Sequence, residues 1–416
     1  VLACAAVTAV YGFLAFYGTY KSTKYTQAAF VLLIITLAVQ LLCQTKCKWL
    51  SEVAKRGLMF VLTAVLVFWQ GYSLFHMDER IDGYADPGQS LRKVTDNPLQ
   101  ALEEIEDGSF YRAAVPTLAY YNGNSPFILD YNGTTIICST FNGSIMEYLD
   151  QMGGIGYTMT QMLGMSNRTM MNNLASVKYY GYYEGETRPL AYGSEVVLET
   201  EVNGQKAYIC ENQYALPLAY TYSDSITEEE LERYPVLERQ EVLMQKVLLN
   251  DAEESTGEAA EVTTTELEIT KIEEMGLVLT EHALTREEDS DGKKLKLHFE
   301  SLPNSELYLV LEGASLKGDM SEKSLNIKVK AGSNTVSYSF KPDDFRYHTG
   351  QEDYVFNLGY YEEPVTSCTV SLGRAGRIDL ESLKVYSQPM DQVPQYTETL
   401  TEDVMEHIKV ETNQVS

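Results

Sequence analysis

The residues best suited to chemistry lie between Tyr120 and Ser144. Tyr120, Tyr121, Asn122, Asn124, Tyr131, Asn132 and Asn142 bring phenol rings and amides together in one short stretch. Rings of this kind stack on the C–H faces of sugars while amides bond hydroxyls, so the segment has the composition of a glycan-facing surface. Of the 30 tyrosines, 15 fall in the 113 residues from Phe110 to Tyr222, which makes this region the aromatic centre of the chain. The same tyrosines also suit half-buried strands and membrane-proximal surfaces.

Other motifs point away from hydrolytic or metal chemistry. Neither a G-x-S-x-G elbow nor an H-E-x-x-H helix occurs, and the five histidines (76, 282, 298, 348, 407) never cluster. Gly153-Gly154-Ile155-Gly156 follows a predicted helix and lacks the Lys-Ser/Thr of a phosphate loop, so it reads as a helix stop. Asp130, Glu147 and Asp150 are carboxylates that could line an acceptor site, and equally could be solvated surface charges. Catalytic residues are not assigned, and no metal site or cofactor is evident. Cysteines at 4, 43, 47, 138, 210 and 368 form no disulfide or paired zinc pattern.

These residues stand on a chain of two characters. Residues 1–77 hold six Lys/Arg against Glu52 alone, a net +5; residues 78–416 hold 26 bases against 58 acids, a net −32. So acidic a surface repels phosphate backbones, and nucleic acid is excluded as a partner. Gly57–Met77 is 21 residues without Asp, Glu, Lys or Arg, about 31 Å of helix and one bilayer core. Lys55 and Arg56 precede it, Asp78 and Glu79 come after it, and Trp69 and Tyr72 lie near its far end, so it should run outward. Leu2–Tyr17 and Ala28–Cys43 are two further apolar runs, the first truncated by the start of the sequence. We therefore expect three transmembrane helices in 1–77, with residues 78–416 on the extracytoplasmic side of a cytoplasmic membrane and lipid as a partner.

Beyond the spans, helical and strand patterns alternate to about residue 250. Asp96 should cap a helix carrying Pro98, FYRAAV should be a strand, and Asn142 should start a helix ending at Gly153. Val177–Tyr183 and Ala207–Cys210 read as strands, and Thr227 with Glu230 forms a capping box. The expectation is an α/β domain over 78–250 and an acidic linker over 251–261. The period then becomes two. Leu295/Leu297/Phe299, Leu307/Leu309/Leu311, Leu325/Ile327/Val329 and Cys368/Val370/Leu372 alternate with polar or exposed positions, which predicts an antiparallel, jelly-roll-like β-sandwich over 262–388. Residues 389–416 read as a polar tail leading to a missing C-terminal part.

An ordered set of residues resembles the bacterial YfhO membrane-protein family. It comprises Phe110-Tyr111-Arg112, the Asn122–Asn124 segment, Tyr131-Asn132-Gly133, Ser139-Thr140, Asn142 and Ser176-Val177-Lys178-Tyr179-Tyr180. Glu211-Asn212, Ala215-Leu216-Pro217-Leu218 and Gln240 continue it. Where the family tends to carry a serine-rich run, this chain has NGTTIICS. The resemblance implies a polytopic membrane protein similar to GT-C glycosyltransferases, of which this is a late portion. It implies a polyprenyl-phosphate-sugar donor, an envelope-polymer acceptor such as teichoic acid, and a partner glycosyltransferase that loads the carrier. The family's catalytic acid sits in an early outer loop, so none is expected here. A non-catalytic glycan-binding or scaffold module is the rival reading, and a polyprenyl-lipid transporter the third.

Overall fold

The computed structural model describes residues 34–35, 51–76, 91–92, 95–105, 107–115, 123–140, 142–249, 252–286, 293–317, 324–402, 410–411 and 414–415. The chain divides into two compact units, Val1–Ser90 and Leu91–Ser416. In the first, helix α1 (Glu52–His76) covers all but the last residue of the uncharged run. Val53, Phe60, Val61, Val65, Val67 and Phe68 are exposed along it. Among the described residues no helix is long and apolar enough to cross a membrane. The two earlier expected spans lie outside the described residues, apart from Ile34 and Ile35.

The second unit begins with a 3-10 helix, Pro98–Glu104. Asn97, not Asp96, caps it: Asn97 Oδ1 accepts the Leu99 N–H at 2.9 Å, one residue closer to Pro98 than the sequence suggested. Next along the chain are β1 (Arg112–Ala114), α2 (Pro126–Leu129), β2 (Thr135–Ile137), α3 (Gly143–Gln151), β3 (Tyr157–Thr158), β4 (Gln161–Leu163) and α4 (Thr169–Leu174). Then come β5 (Val177–Tyr183), β6 (Ser194–Val202), β7 (Gln205–Asn212), β8 (Ser225–Ile226), α5 (Glu228–Glu232), α6 (Arg239–Leu243) and β9 (Val247–Leu248). A mixed sheet of order β1-β5-β7-β6 carries this part. Strand β6 and the turn after it had no sequence expectation. Asn203 (φ 52°) and Gly204 (φ 80°) both take the left-handed conformation that a tight two-residue hairpin demands.

The remaining strands are β10 (Thr265–Glu266), β11 (Lys271–Met275), β12 (Val278–Thr280), β13 (Ala283–Arg286), β14 (Lys294–His298), β15 (Ser305–Glu312) and β16 (Leu325–Ala331). They continue with β17 (Asn334–Phe340), β18 (Tyr354–Tyr361), β19 (Ser367–Leu372), β20 (Gly376–Asp379) and β21 (Ser382–Pro389). Two antiparallel sheets, β10-β21-β15-β18 and β11-β14-β19-β16-β17, face each other. Leu297, Leu309, Val329, Phe356, Val370 and Val385 from both sheets share one core. Successive strands cross repeatedly between the sheets, and pairing within both is antiparallel throughout. The period-two expectation is met on the inner face. It fails on the outer face of β15, where seven of eight residues are buried. Tyr308, Val310, Val355 and Tyr386 pack there against Val236 and Leu237 of the α/β part, so this sheet is covered on both sides.

The tail is not featureless. Residues Val393–Thr401 form helix α7, whose Val393 and Leu400 bury with Met170, Leu216 and Met244 of the α/β part. Residues of the acidic segment are also held. Thr256 Oγ1 accepts the Ser225 N–H at 2.8 Å, Ser255 Oγ accepts the Thr227 N–H at 3.0 Å, and Gln245 Nε2 donates to the Glu261 carbonyl at 2.8 Å.

Candidate functional site

Where the α/β part meets the sandwich, polar side chains are buried without solvent. Thr169 Oγ1 donates to Glu306 Oε1 at 2.6 Å, Asn357 Nδ2 donates to the same oxygen at 3.3 Å, and the Tyr308 hydroxyl bonds Glu306 Oε2. Arg168 Nε donates to Gln240 Oε1 at 2.8 Å, and Gln240 Nε2 in turn donates to Tyr308 OH at 3.2 Å and Gln388 Oε1 at 2.5 Å. Burial raises the Glu306 carboxyl above its ordinary range, against the pull of its donors, and lowers the Arg168 guanidinium. Such a network fixes the orientation of two parts.

Beside this junction lies a cavity of about 290 Å³. Ile155 and Gly156 at the end of the glycine turn, the β3–β4 hairpin and Ser166–Asn167 form one wall; β17, Lys341 and Asn357 form the other; Arg188 completes the lining. Local sequence explains the first wall. Gly153 takes φ 60° after α3, as the helix-stop reading requires. A Cβ at Gly153 would stand 2.8 Å from Val355 Cγ2, so glycine lets the turn dock on the sandwich. Val355 N–H donates to the Gly153 carbonyl at 2.9 Å and Gln351 Nε2 to that of Gly154 at 2.6 Å. Ser166 and Asn167 are consecutive left-handed non-glycine residues (φ 57° and 54°), a conformation that costs energy and is held by its surroundings. Ser166 Oγ accepts the Ile155 N–H at 2.8 Å, and Asn357 Nδ2 donates to the Asn167 carbonyl at 2.6 Å.

The lining chemistry is aromatic, hydroxylic and cationic. Tyr157 and Tyr338 provide rings, Thr158, Gln161, Ser337 and Ser339 provide hydrogen-bonding groups, and Arg188 and Lys341 provide positive charge. Tyr157 donates its hydroxyl to Asp150 Oδ1 at 2.8 Å, and burial raises its pKa. Burial pushes the Tyr338 phenol up to about 12, so it stays a neutral donor at physiological pH. Lys341 Nζ lies 5.5 Å from the Phe345 ring centroid. In a chain of 59 acids, none of the described lining residues is acidic. The cavity therefore offers a polyhydroxylated or anionic molecule hydroxyl contacts and positive charge, beside tyrosines that are largely packed into the protein, Tyr157 in its own core and Tyr338 against Phe340 and Tyr354.

The residues expected to face glycan are placed differently. Tyr120, Tyr121 and Asn122 lie outside the described residues. Asn124 spends its amide on Ile137, accepting from the backbone N–H at 2.8 Å and donating to the carbonyl at 2.9 Å. Tyr131 OH is 3.1 Å from Ser125 Oγ, and burial pushes its pKa up to about 12. The Asn132 carbonyl accepts the Ala113 N–H at 2.8 Å while the residue stays exposed. Asn142 caps α3 through the Ser144 N–H at 3.0 Å, as expected, and is also exposed. None of the four described residues, Asn124, Tyr131, Asn132 and Asn142, lines the cavity described above. Sequence reasoning missed Tyr157, Arg188, Tyr338 and Lys341. The available signals were the glycine turn and the serines flanking Tyr338.

Fold and site together define a mixed α/β part buttressed on an antiparallel β-sandwich, with a polar cavity between them. The whole chain, residues 1–416, matches the family described as bacterial membrane protein YfhO, and it belongs to that family. Against curated proteins the sequence finds no match. Among solved structures, the chain is similar to an exo-β-1,3-galactanase from Phanerochaete chrysosporium at 14% identity and TM-score 0.17, covering 30% of this chain and 26% of the enzyme. It is similar to the C-terminal CBM6 of LamC from Zobellia galactanivorans at 8% identity and TM-score 0.17, covering 30% of this chain and 99% of that module. The xylan-binding module CBM15 aligns at 11% identity and TM-score 0.18, over 31% and 97%. At such TM-scores these likenesses carry no argument about ligand or activity.

Proposed function

We propose that this chain is the anchor and extracytoplasmic part of a bacterial membrane glycosyltransferase-like protein. In this reading it serves transfer of a sugar from a polyprenyl-phosphate donor to an envelope polymer such as teichoic acid. The observation that carries the reading is the cavity between the β3–β4 hairpin and β17, whose lining has aromatic rings, hydroxyls, Arg188 and Lys341. The family assignment and the aromatic richness of Phe110–Tyr222 support it. The membrane anchor rests on the family assignment and on the uncharged Gly57–Met77 run of the sequence, since no helix among the described residues, α1 included, is long and apolar enough to cross a membrane. The two earlier spans and the outward orientation rest on the sequence alone. The parts 78–250, 251–261, 262–388 and 389–416 are retained as proposed units. Exposed Asn132 and Asn142 are retained as candidate glycan contacts outside the cavity.

Arg188→Ala with Lys341→Ala, in the full-length protein, should lower envelope-polymer glycosylation while abundance and melting temperature stay near the parent's. Normal glycosylation at normal abundance would remove the cavity from the function. The alternative is a surface module that holds glycan without acting on it, which the hydroxylic and cationic lining of the same cavity supports equally. In that case the same variants should weaken polymer binding by the purified protein and leave sugar content unchanged.

A further inference from the structure

The amide- and tyrosine-rich stretch presents a feature that the glycan reading does not use. At α2, Phe127 is 73% exposed and Ile128 49%, side by side at the tip of a turn. That tip is rigidly built. Asn124 pairs its amide with both backbone groups of Ile137, and Ser125 is fully buried with its hydroxyl 3.1 Å from Tyr131 OH. Pro126 is buried against Gly133, where a Cβ would stand 2.3 Å from Pro126 Cγ. Asp130 closes the turn in the left-handed conformation, φ 53°, with its N–H bonded to the Pro126 carbonyl. A framework that holds two large apolar side chains outward keeps them from folding back into the core.

Charge says what covers them. Of the 339 residues from Asp78 to Ser416, 84 are charged, about one in four. Between Arg112 and Glu147 there are 34 residues and a single charged one, Asp130. An acidic surface is repelled by anionic lipid head groups, and burying charge at the acyl boundary is costly. The charge-poor stretch is where an acidic ectodomain can meet a bilayer. Its tyrosines and amides suit the interfacial zone, and Phe127 and Ile128 suit the layer beneath.

We propose that Phe127 and Ile128 form a membrane-inserting tip, which seats the ectodomain of this membrane protein on the outer leaflet. Phe127 and Ile128 enter the head-group/acyl boundary, while the exposed Asp130 at the end of the same turn stays at head-group level. It limits how the ectodomain swings above the bilayer.

The test places an environment-sensitive fluorescent amino acid at 127, at 128 and, as an exposed apolar control on the sandwich, at Val278 (40% exposed). The full chain is reconstituted in phosphatidylcholine/phosphatidylglycerol liposomes. Circular dichroism first establishes that each labelled protein is folded. The probes at 127 and 128 should emit to the blue of the probe at 278, resist quenching by iodide, and be quenched severalfold more strongly by shallow nitroxide lipids. Water-like emission at both tip positions would overturn the proposal. So would a blue shift unquenched by nitroxide lipids, which would mean that protein covers the tip, or lipid quenching at 278 equal to that at 127.

Discussion

Thr169 and Glu306 lie 137 residues apart in sequence, yet the threonine hydroxyl donates to the glutamate carboxyl at 2.6 Å, with both residues wholly removed from solvent. The contact ties the first turn of α4 to the outer face of β15, and the same hydroxyl accepts the Tyr192 N–H at 2.7 Å. Thr169→Val should cost about 2–3 kcal/mol by leaving a buried carboxyl short of a donor. Glu306→Leu should leave Thr169, Tyr308 and Asn357 short of their acceptor. In a double-mutant cycle by urea unfolding, the two losses should fall short of additivity by about 1–3 kcal/mol. Additive losses would show that the contact contributes nothing of its own.

The junction also governs how the protein responds to cleavage. A protease given native protein should reach exposed residues of the acidic segment such as Glu253, Glu254 and Glu258. The two fragments should nevertheless migrate together on a native gel, because Gln240 bonds Gln388 and Thr169 bonds Glu306 across the cut and α7 packs against Met170 and Met244. Denaturant should be needed to part them. Spontaneous separation after nicking would instead support two independent folding units.

Asp107 supplies a pH signature. Burial alone would raise its pKa, but Lys178 Nζ at 2.7 Å, the Ser109 N–H at 2.8 Å and Tyr179 OH at 2.9 Å more than offset this and hold it well below the carboxylate range. A group with a depressed folded pKa adds stability above its unfolded pKa of about 3.9 and loses it as pH falls through the folded value. Asp107→Asn should therefore be less stable than the parent at pH 7 by about 1–2 kcal/mol, and the gap should narrow steadily below about pH 4. Equal melting-temperature differences at pH 7 and pH 3 would contradict this.

The cavity can be blocked without touching the network. Ser337 is exposed on β17 and lines the opening. Ser337→Trp should fill much of that space at a stability change within about 0.5 kcal/mol, the usual range for surface sites. Envelope-polymer glycosylation should fall with it. Unchanged polymer in cells with normal protein level would count against the cavity.

Orientation is open to direct labelling. Gly257 is a poor place for a reporter cysteine, since its φ of 74° and a Cβ only 2.2 Å from Asp224 Cγ would strain the turn. Glu258 is exposed and free of that clash. Glu258→Cys, in a background without the native cysteines, should react with an impermeant maleimide in intact cells. Reaction only after lysis would place this region in the cytoplasm.

Features that depend on neighbours along the chain were legible in the residues alone. Asn142 caps α3, Thr227 accepts the Glu230 N–H at 3.3 Å, Gly153 ends a helix, and Val177–Tyr183 is a strand with the expected limits. The inner sandwich face, including Cys368 at 1% exposure, comes from a period of two. What lies on the other face of a strand is not a local property. Glu306 and Tyr308 occupy positions that alternation assigns to solvent, and the α/β part buries them, with Thr169 on Glu306 and Val236 and Leu237 on Tyr308. The cavity is of the same kind. Its walls come from residues 155–167, from Arg188, from 336–341 and from Asn357, and no periodicity links segments so far apart. The amide of Asn124 looked available for ligand because its residue type was legible, whereas its partner Ile137, 13 residues further on, was not. Local pattern reports which side chains can bond; packing between distant segments sets which of them are already bonded.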